Sequence, residues 1–307
     1  MAKVRPLPPA LAEAAKRELF EVPERLEADL QHLKDWLAKQ PHLKARTDDQ
    51  FLVAFLRGSK FSLERAKEKL DAYYTLRSAL PDFFKNRDPT CPKIRKIMEL
   101  GVFLPLGVDG EGRRVILFRG GAYDPNEVDI NDVFKANMMM VDVMVMEDDA
   151  LIVKGQVGIM DMSNMTVAHA THMTPSLAKK SMTVFQEGYP LRPKAMHYLH
   201  MKSIFESIFN LFKTFMKEKL RNRVHVHSDL NTFYQSVPKE ILPKEYGGNA
   251  GTIKEISEEW QKKLEAWRQY FAEDDQFCAV ESKRPGRPKT HQDLFGLEGS
   301  FRPLAVD

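Results

Sequence analysis

Six of the nine histidines fall in three close pairs, His169 with His172, His197 with His200, and His225 with His227. A spacing of three on a helix, or of two on a strand, puts both rings on one face, as shared metal ligation requires. Each pair lacks an obvious third ligand nearby in the sequence, so no metal is expected. Asp161 closes an apolar run, and the ends of strands in α/β sheets are where ligand sites form, although a capping or structural role suits a lone carboxylate better. The chain has no glycine-rich phosphate loop, serine-nucleophile elbow or zinc-protease motif. Cys91 and Cys278 stand far apart and make neither a disulfide framework nor a metal-ligand pair. These residues predict a protein that is not an enzyme and needs no cofactor.

The charge distribution is more informative than its total. Between Lys179 and Arg223 ten basic residues meet only Glu187, Glu206 and Glu218, in a chain whose formal net charge is +3. Such a concentration suits anionic lipid, phosphate or nucleic acid, or simply a solvated helix face. Inside it, Met201, Ile204, Phe205, Ile208, Phe209, Phe212, Phe215, Met216 and Leu220 follow a helical stripe, with Arg192 and Lys194 before it and Lys219, Arg221 and Arg223 after it. An apolar stripe between cations can be a core-facing helix, and it also has the composition of a helix that touches a membrane. The run from Lys283 to Lys289 is similar to an AT-hook, a short arginine arm for the minor groove of DNA. Phe295, Leu297, Phe301 and Leu304 follow it as residues that would tie a tail to the fold, so nucleic acid is not the expected partner.

These side chains need elements to hold them. The 307 residues allow about two domains and a core large enough for a pocket. No apolar run approaches the roughly 18 residues of a membrane span, and the N-terminus lacks the apolar stretch of a secretion signal, so a cytoplasmic monomer is expected. Residues 1–100 read as helical: Thr47-Asp48-Asp49-Gln50 has capping-box form, Gly58 ends the helix it opens, and Ser62 caps the next, which runs on to Pro81. Residues 101–250 alternate short apolar runs, at 115–118, 157–162, 195–201 and 224–226, with helix-length segments, the pattern of an α/β domain with a parallel or mixed sheet. A turn at Asp109-Gly110-Glu111-Gly112 predicts a hairpin, and Thr174-Pro175 a helix start. Residues 251–307 hold a charged amphipathic helix near 253–271 and a basic Pro/Gly tail.

Several of these stretches together resemble the CRAL-TRIO family of lipid carriers. The likeness rests on Phe51-Leu52-Val53-Ala54-Phe55-Leu56-Arg57 with Lys60-Phe61, on Asp161, and on the run from Thr174 to Lys180. It continues through Tyr189-Pro190-Leu191-Arg192-Pro193-Lys194 and the stretch from Phe205 to Arg223, and closes with the run from Ile241 to Gly248. The resemblance implies an N-terminal helical domain followed by a lipid-binding α/β domain, whose mostly parallel sheet floors an apolar cavity beneath a mobile gate helix. By position it implies ligand contacts at Phe134, Asn137, Val141, Met160, Val184 and Phe185, a gate carrying Phe205, Phe209 and Phe212, and a phosphatidylinositol bisphosphate site at Arg192, Lys194, Lys219 and Arg223. The implied function is transfer of one small hydrophobic molecule, a retinoid, tocopherol or similar lipid, at phosphoinositide-containing membranes. A signalling adaptor that senses bound lipid is the alternative.

Overall fold

The computed structural model describes residues 2–296, Ile204 by its backbone alone. The chain opens with α1 (Pro9–Ala14), a π-helical turn (Ala15–Leu19) and α2 (Leu26–Ala38), followed by the short strand β1 (Leu43–Lys44). Next come α3 (Asp49–Gly58), α4 (Leu63–Ala79), α5 (Pro81–Phe84) and α6 (Pro92–Glu99). The start of α3 is capped by Asp48 and not by Thr47: the Asp48 backbone is extended and its carboxylate accepts from the Phe51 amide at 2.9 Å. Every residue from Phe51 to Arg57 is buried, so α3 is the axis of the helical region. Gly58 is needed for closeness, not for a left-handed turn. A β-carbon there would lie 2.3 Å from the Pro190 carbonyl oxygen, while the chain reverses two residues later, where Lys60 and Phe61 both have φ of 55°.

The central sheet contains β2 (Phe103–Val108), β3 (Arg114–Arg119), β4 (Gln156–Asp161), β5 (Pro193–Leu199) and β6 (Val224–Val226), hydrogen-bonded in that order. β2 and β3 form the predicted hairpin, its turn held by the Asp109 carboxylate accepting from the amides of Glu111 and Arg113. The remaining pairings are parallel. Parallel neighbours need crossovers, and these are supplied by α7 (Ile130–Glu147) with α8 (Asp149–Lys154), by α9 (Val167–His172) with α10 (Pro175–Glu187), and by α11 (Glu206–Phe215) with α12 (Glu218–Arg221). Alternation divides the strands between two faces. Val115, Leu117, Val157, Ile159 and Leu199 join Phe233 on α13 (Leu230–Tyr234) and Ile256 on α14 (Ile253–Ala266) in one core. Ile116, Phe118, Met160, Met196 and Tyr198 point to the opposite side.

The continuous stripe expected from Met201 to Leu220 is broken. Phe205 ends a 3-10 turn ahead of α11, and Met216 is extended between α11 and α12. The Gln186 side chain replaces the lost helical bonds at that break, donating to the Phe215 carbonyl at 2.9 Å and accepting from the Lys217 amide at 2.8 Å.

The C-terminal segment is woven into the rest. After α15 (Arg268–Asp274), β7 (Cys278–Ala279) pairs antiparallel with β1, and Phe295 of α16 (His291–Phe295) is buried in the helical region's core. Leu297, Phe301 and Leu304 lie outside the described residues. A buried ionic cluster ties the parts together. Asp142 of α7 accepts from Arg77 of α4 at 2.8 and 3.1 Å, from Arg87 at 2.5 Å and from the Tyr189 hydroxyl at 2.7 Å. Asp274 accepts from Arg46 at 2.9 Å, from Arg77 at 2.6 Å and from Arg87.

Candidate functional site: an apolar cavity beside a basic patch

The sheet face bearing Ile116, Phe118, Met160 and Tyr198 does not pack solidly against its helices. It floors a cavity of about 230 Å³ whose walls include side chains of α7, α10 and α11. All six positions expected to contact ligand stand on this wall: Phe134, Asn137 and Val141 on α7, Met160 on β4, and Val184 and Phe185 on α10. Helical spacing explains the convergence, since 134, 137 and 141 lie on one face of α7 and the Thr174 cap with Pro175 sets the start of α10. Met138, Met162, Met165, Met173, Met182 and Met196 add flexible thioethers to the lining.

Two of the polar side chains on this surface carry an unpaired acceptor. Asn137 and Gln156, each 5% exposed, line the cavity with side-chain oxygens that no described residue pairs. A buried acceptor without a donor costs about 1–3 kcal/mol, so either amide gains by meeting a polar group on an occupant. Gln156 escaped the sequence reading because one polar residue opening an apolar strand looks like a strand boundary. Burial pushes the Tyr123 hydroxyl up to about 12 and that of Tyr198 higher, keeping these two of the wall phenols neutral.

Phe209 and Phe212 project from α11 onto the same wall, and the Phe209 ring meets Tyr198 edge-on at 4.8 Å. Phe205 is buried in the adjoining cluster with Met182 and Tyr198 but is not on the cavity wall, because the turn before α11 takes it off the helical stripe.

The four expected headgroup cations come together where β5 and β6 begin. The Arg192 guanidinium donates to the Val153 carbonyl and that of Arg223 to the Pro193 carbonyl. Burial, and then the charge of Arg192, pull the Lys194 ammonium below its ordinary value; for Lys219 the Arg223 charge is the largest cause. Repulsion of this kind requires closeness. The fold also brings in Lys154 and Lys60. Glu18, from the π-helical turn, sits 2.8 Å from the Lys154 ammonium and 3.9 Å from that of Lys194, and Lys60 is among the charges acting on Lys219. Residues 60 and 154 are remote from the basic run in sequence, and only tertiary structure could have added them.

The other candidates are engaged within the fold. Burial opposes ionisation of Asp161, but hydrogen bonds from Tyr246, His200 and Ser163 outweigh it and hold its carboxyl below the usual range. His169 bridges the Thr166 cap and the Tyr123 carbonyl. His197 and His227 share a hydrogen bond of 2.8 Å, with His225 stacked alongside. Among the described residues no group of three or more His, Cys, Asp or Glu is placed to hold a metal ion. Arg284 of the AT-hook-like run is half-buried against α4, paired with Asp71 at 2.7 Å and Glu281 at 2.6 Å, which engages it within the fold and not in an extended DNA-binding arm. No helix among the described residues is long and apolar enough to cross a membrane.

Comparison with known proteins agrees with this geometry. Residues 98–248 match the CRAL/TRIO domain, and residues 22–94 match the Pinta-like UBA domain. The chain is 34% identical to the alpha-tocopherol transfer protein-like protein of Mus musculus over 87% of its own length and 77% of the relative's. It is 32% identical to clavesin-2 of Homo sapiens over 79% of its own length and 75% of the relative's. With a floored cavity, a helical N-terminal region and relatives of this similarity along most of its length, the chain belongs to the CRAL-TRIO family, which binds and transfers lipophilic ligands.

Proposed function

We propose that this protein carries one small hydrophobic molecule, of retinoid, tocopherol or similar lipid type, and exchanges it at membranes containing phosphatidylinositol bisphosphate. The observation that carries the reading is the apolar cavity with two buried amide oxygens unpaired on its wall. Apolar burial, on the order of 25 cal/mol per Å², provides most of the affinity, and the amides favour a ligand whose apolar body ends in a hydrogen-bonding group. The tocopherol-related name of one relative agrees with such a molecule. Arg192, Lys194, Lys219 and Arg223 form the headgroup site, at roughly 1 kcal/mol per cation close to an anionic surface. In this reading α11 is the gate. Phe209 and Phe212 cover the cavity in the closed form and enter the membrane interface in the open one, so the bilayer selects the open form through its better contacts.

Val184→Trp tests the cavity. The larger ring should fill the space between α10 and the sheet and lower loading at least about tenfold, measured by mass spectrometry of lipid extracted from purified protein, with circular dichroism unchanged. Undiminished loading would place the ligand elsewhere.

A further inference from the structure

Leu19 ends the π-helical turn that follows α1, and Phe20 and Glu21 come directly after it. Leu19 is fully buried against Val153 and its neighbours. The Glu21 carboxylate accepts two hydrogen bonds from the buried Arg57 guanidinium, at 2.9 and 2.8 Å. Between these two fixed residues Phe20 stands 65% exposed with φ of 65°. Its amide donates to the Ala15 carbonyl in the manner of a helix C-cap, where glycine is the usual residue because it has no β-carbon to strain. The ring therefore carries a conformational cost that no burial offsets.

One exposed aromatic is ordinary in any soluble protein. What distinguishes Phe20 is its rigid mount together with its neighbours. The Lys60 ammonium lies 6.0 Å from the ring centroid, and Lys60 belongs to the same electrostatic neighbourhood as Lys219 and Arg192. Two residues before the ring, Glu18 reaches Lys154 and Lys194. Val22, 40% exposed, extends the apolar rim. An aromatic ring fixed beside a cluster of cations is complementary to one surface in particular, the interface of an anionic bilayer, where acyl chains lie beneath charged headgroups.

We propose that Phe20 is a membrane anchor, a ring that enters the bilayer interface while the adjacent cations hold the headgroups. This rests on reading the basic patch as a headgroup site, and the experiment separates the two ideas. Vesicles of phosphatidylcholine, with and without a bisphosphorylated phosphoinositide, are titrated with the parent chain, Phe20→Ala, Phe20→Gly and the charge-reversed Arg192→Glu/Lys219→Glu. Phe20→Ala and Phe20→Gly should bind the phosphoinositide vesicles roughly tenfold more weakly. Phe20→Gly should at the same time melt no lower than the parent, because glycine suits the left-handed position. In a Phe20→Trp chain, emission should shift to the blue and be quenched by brominated acyl chains on adding these vesicles, but not on adding the soluble inositol bisphosphate headgroup.

If both Phe20 variants bind like the parent while charge reversal weakens binding, the anchor is overturned and the headgroup site stands. If charge reversal also leaves binding unchanged, the headgroup reading fails and the anchor fails with it. A Phe20-dependent dimer seen by sedimentation without lipid would give the ring to a second copy of the chain and likewise overturn the proposal.

Discussion

His197 illustrates how much a single buried side chain can impose. It is buried beside Phe233, and its Nδ1 faces His227. Burial first, and then the neighbouring charges of His227 and His225, bring its ring down to about 4 from an ordinary 6.5. In the unfolded chain the ring takes up a proton near pH 6.5, whereas in the folded chain it stays neutral until about pH 4. The unfolded state therefore binds more protons through this window, and stability falls as pH drops from 6.5 to 4, by on the order of 3 kcal/mol from this residue. Urea unfolding across that range should show the decline, and His197→Gln should make it visibly shallower. The histidine pairs stood out in the sequence, but their partners did not: sheet register sets His197 opposite His225 across two parallel strands, and His227 just past β6 bonds it, contacts that spacing along the chain does not give.

At the scale of elements, α11 has two apolar surroundings available, the cavity and a bilayer, and its phenylalanines serve both in the proposed cycle. Replacing Phe209 and Phe212 with Ser should weaken loading and slow vesicle-to-vesicle transfer together, by roughly tenfold per folded molecule, since full burial of one such ring contributes about 1.5–3 kcal/mol and both are half-buried here. Intact binding to phosphoinositide vesicles would locate the defect at opening. A fall in melting temperature with normal transfer by the folded fraction would make α11 a core helix instead. The strands around this element were readable because β3, β4 and β5 are short apolar runs covered on both faces. The break at Met216 was not, because it depends on Gln186, thirty residues earlier in the chain. β2 was implied only by its turn, since Pro105 and Gly107 dilute its apolar pattern.

Across the whole molecule the strongest constraint is the cluster of Arg46, Arg77, Arg87, Asp142 and Asp274. It joins the helical region, α7 and α15 at a buried interface, where removal of one partner leaves charge uncompensated. Asp274→Asn should reduce unfolding free energy by about 3–5 kcal/mol in denaturant titration, whereas exposed pairs such as Arg268 with Asp88 should cost less than about 1 kcal/mol. Nothing in the local sequence marks these arginines and aspartates as partners. Their burial follows from pairing over distances that local pattern does not encode.

The same cluster has a consequence for how the protein is made. Arg46 meets Asp274 across a sequence separation of 228 residues, and among the described residues β1 pairs with residues 278–279 alone. A ribosome adding roughly 5–20 residues per second takes tens of seconds to travel between them. Throughout that interval the nascent helical region has arginines without the Asp274 counter-charge, and until residue 142 is made without that of Asp142 as well, and a strand without a neighbour. It should stay protease-sensitive on stalled ribosomes until the chain is released far enough for α15 and β7 to emerge, and become resistant only then.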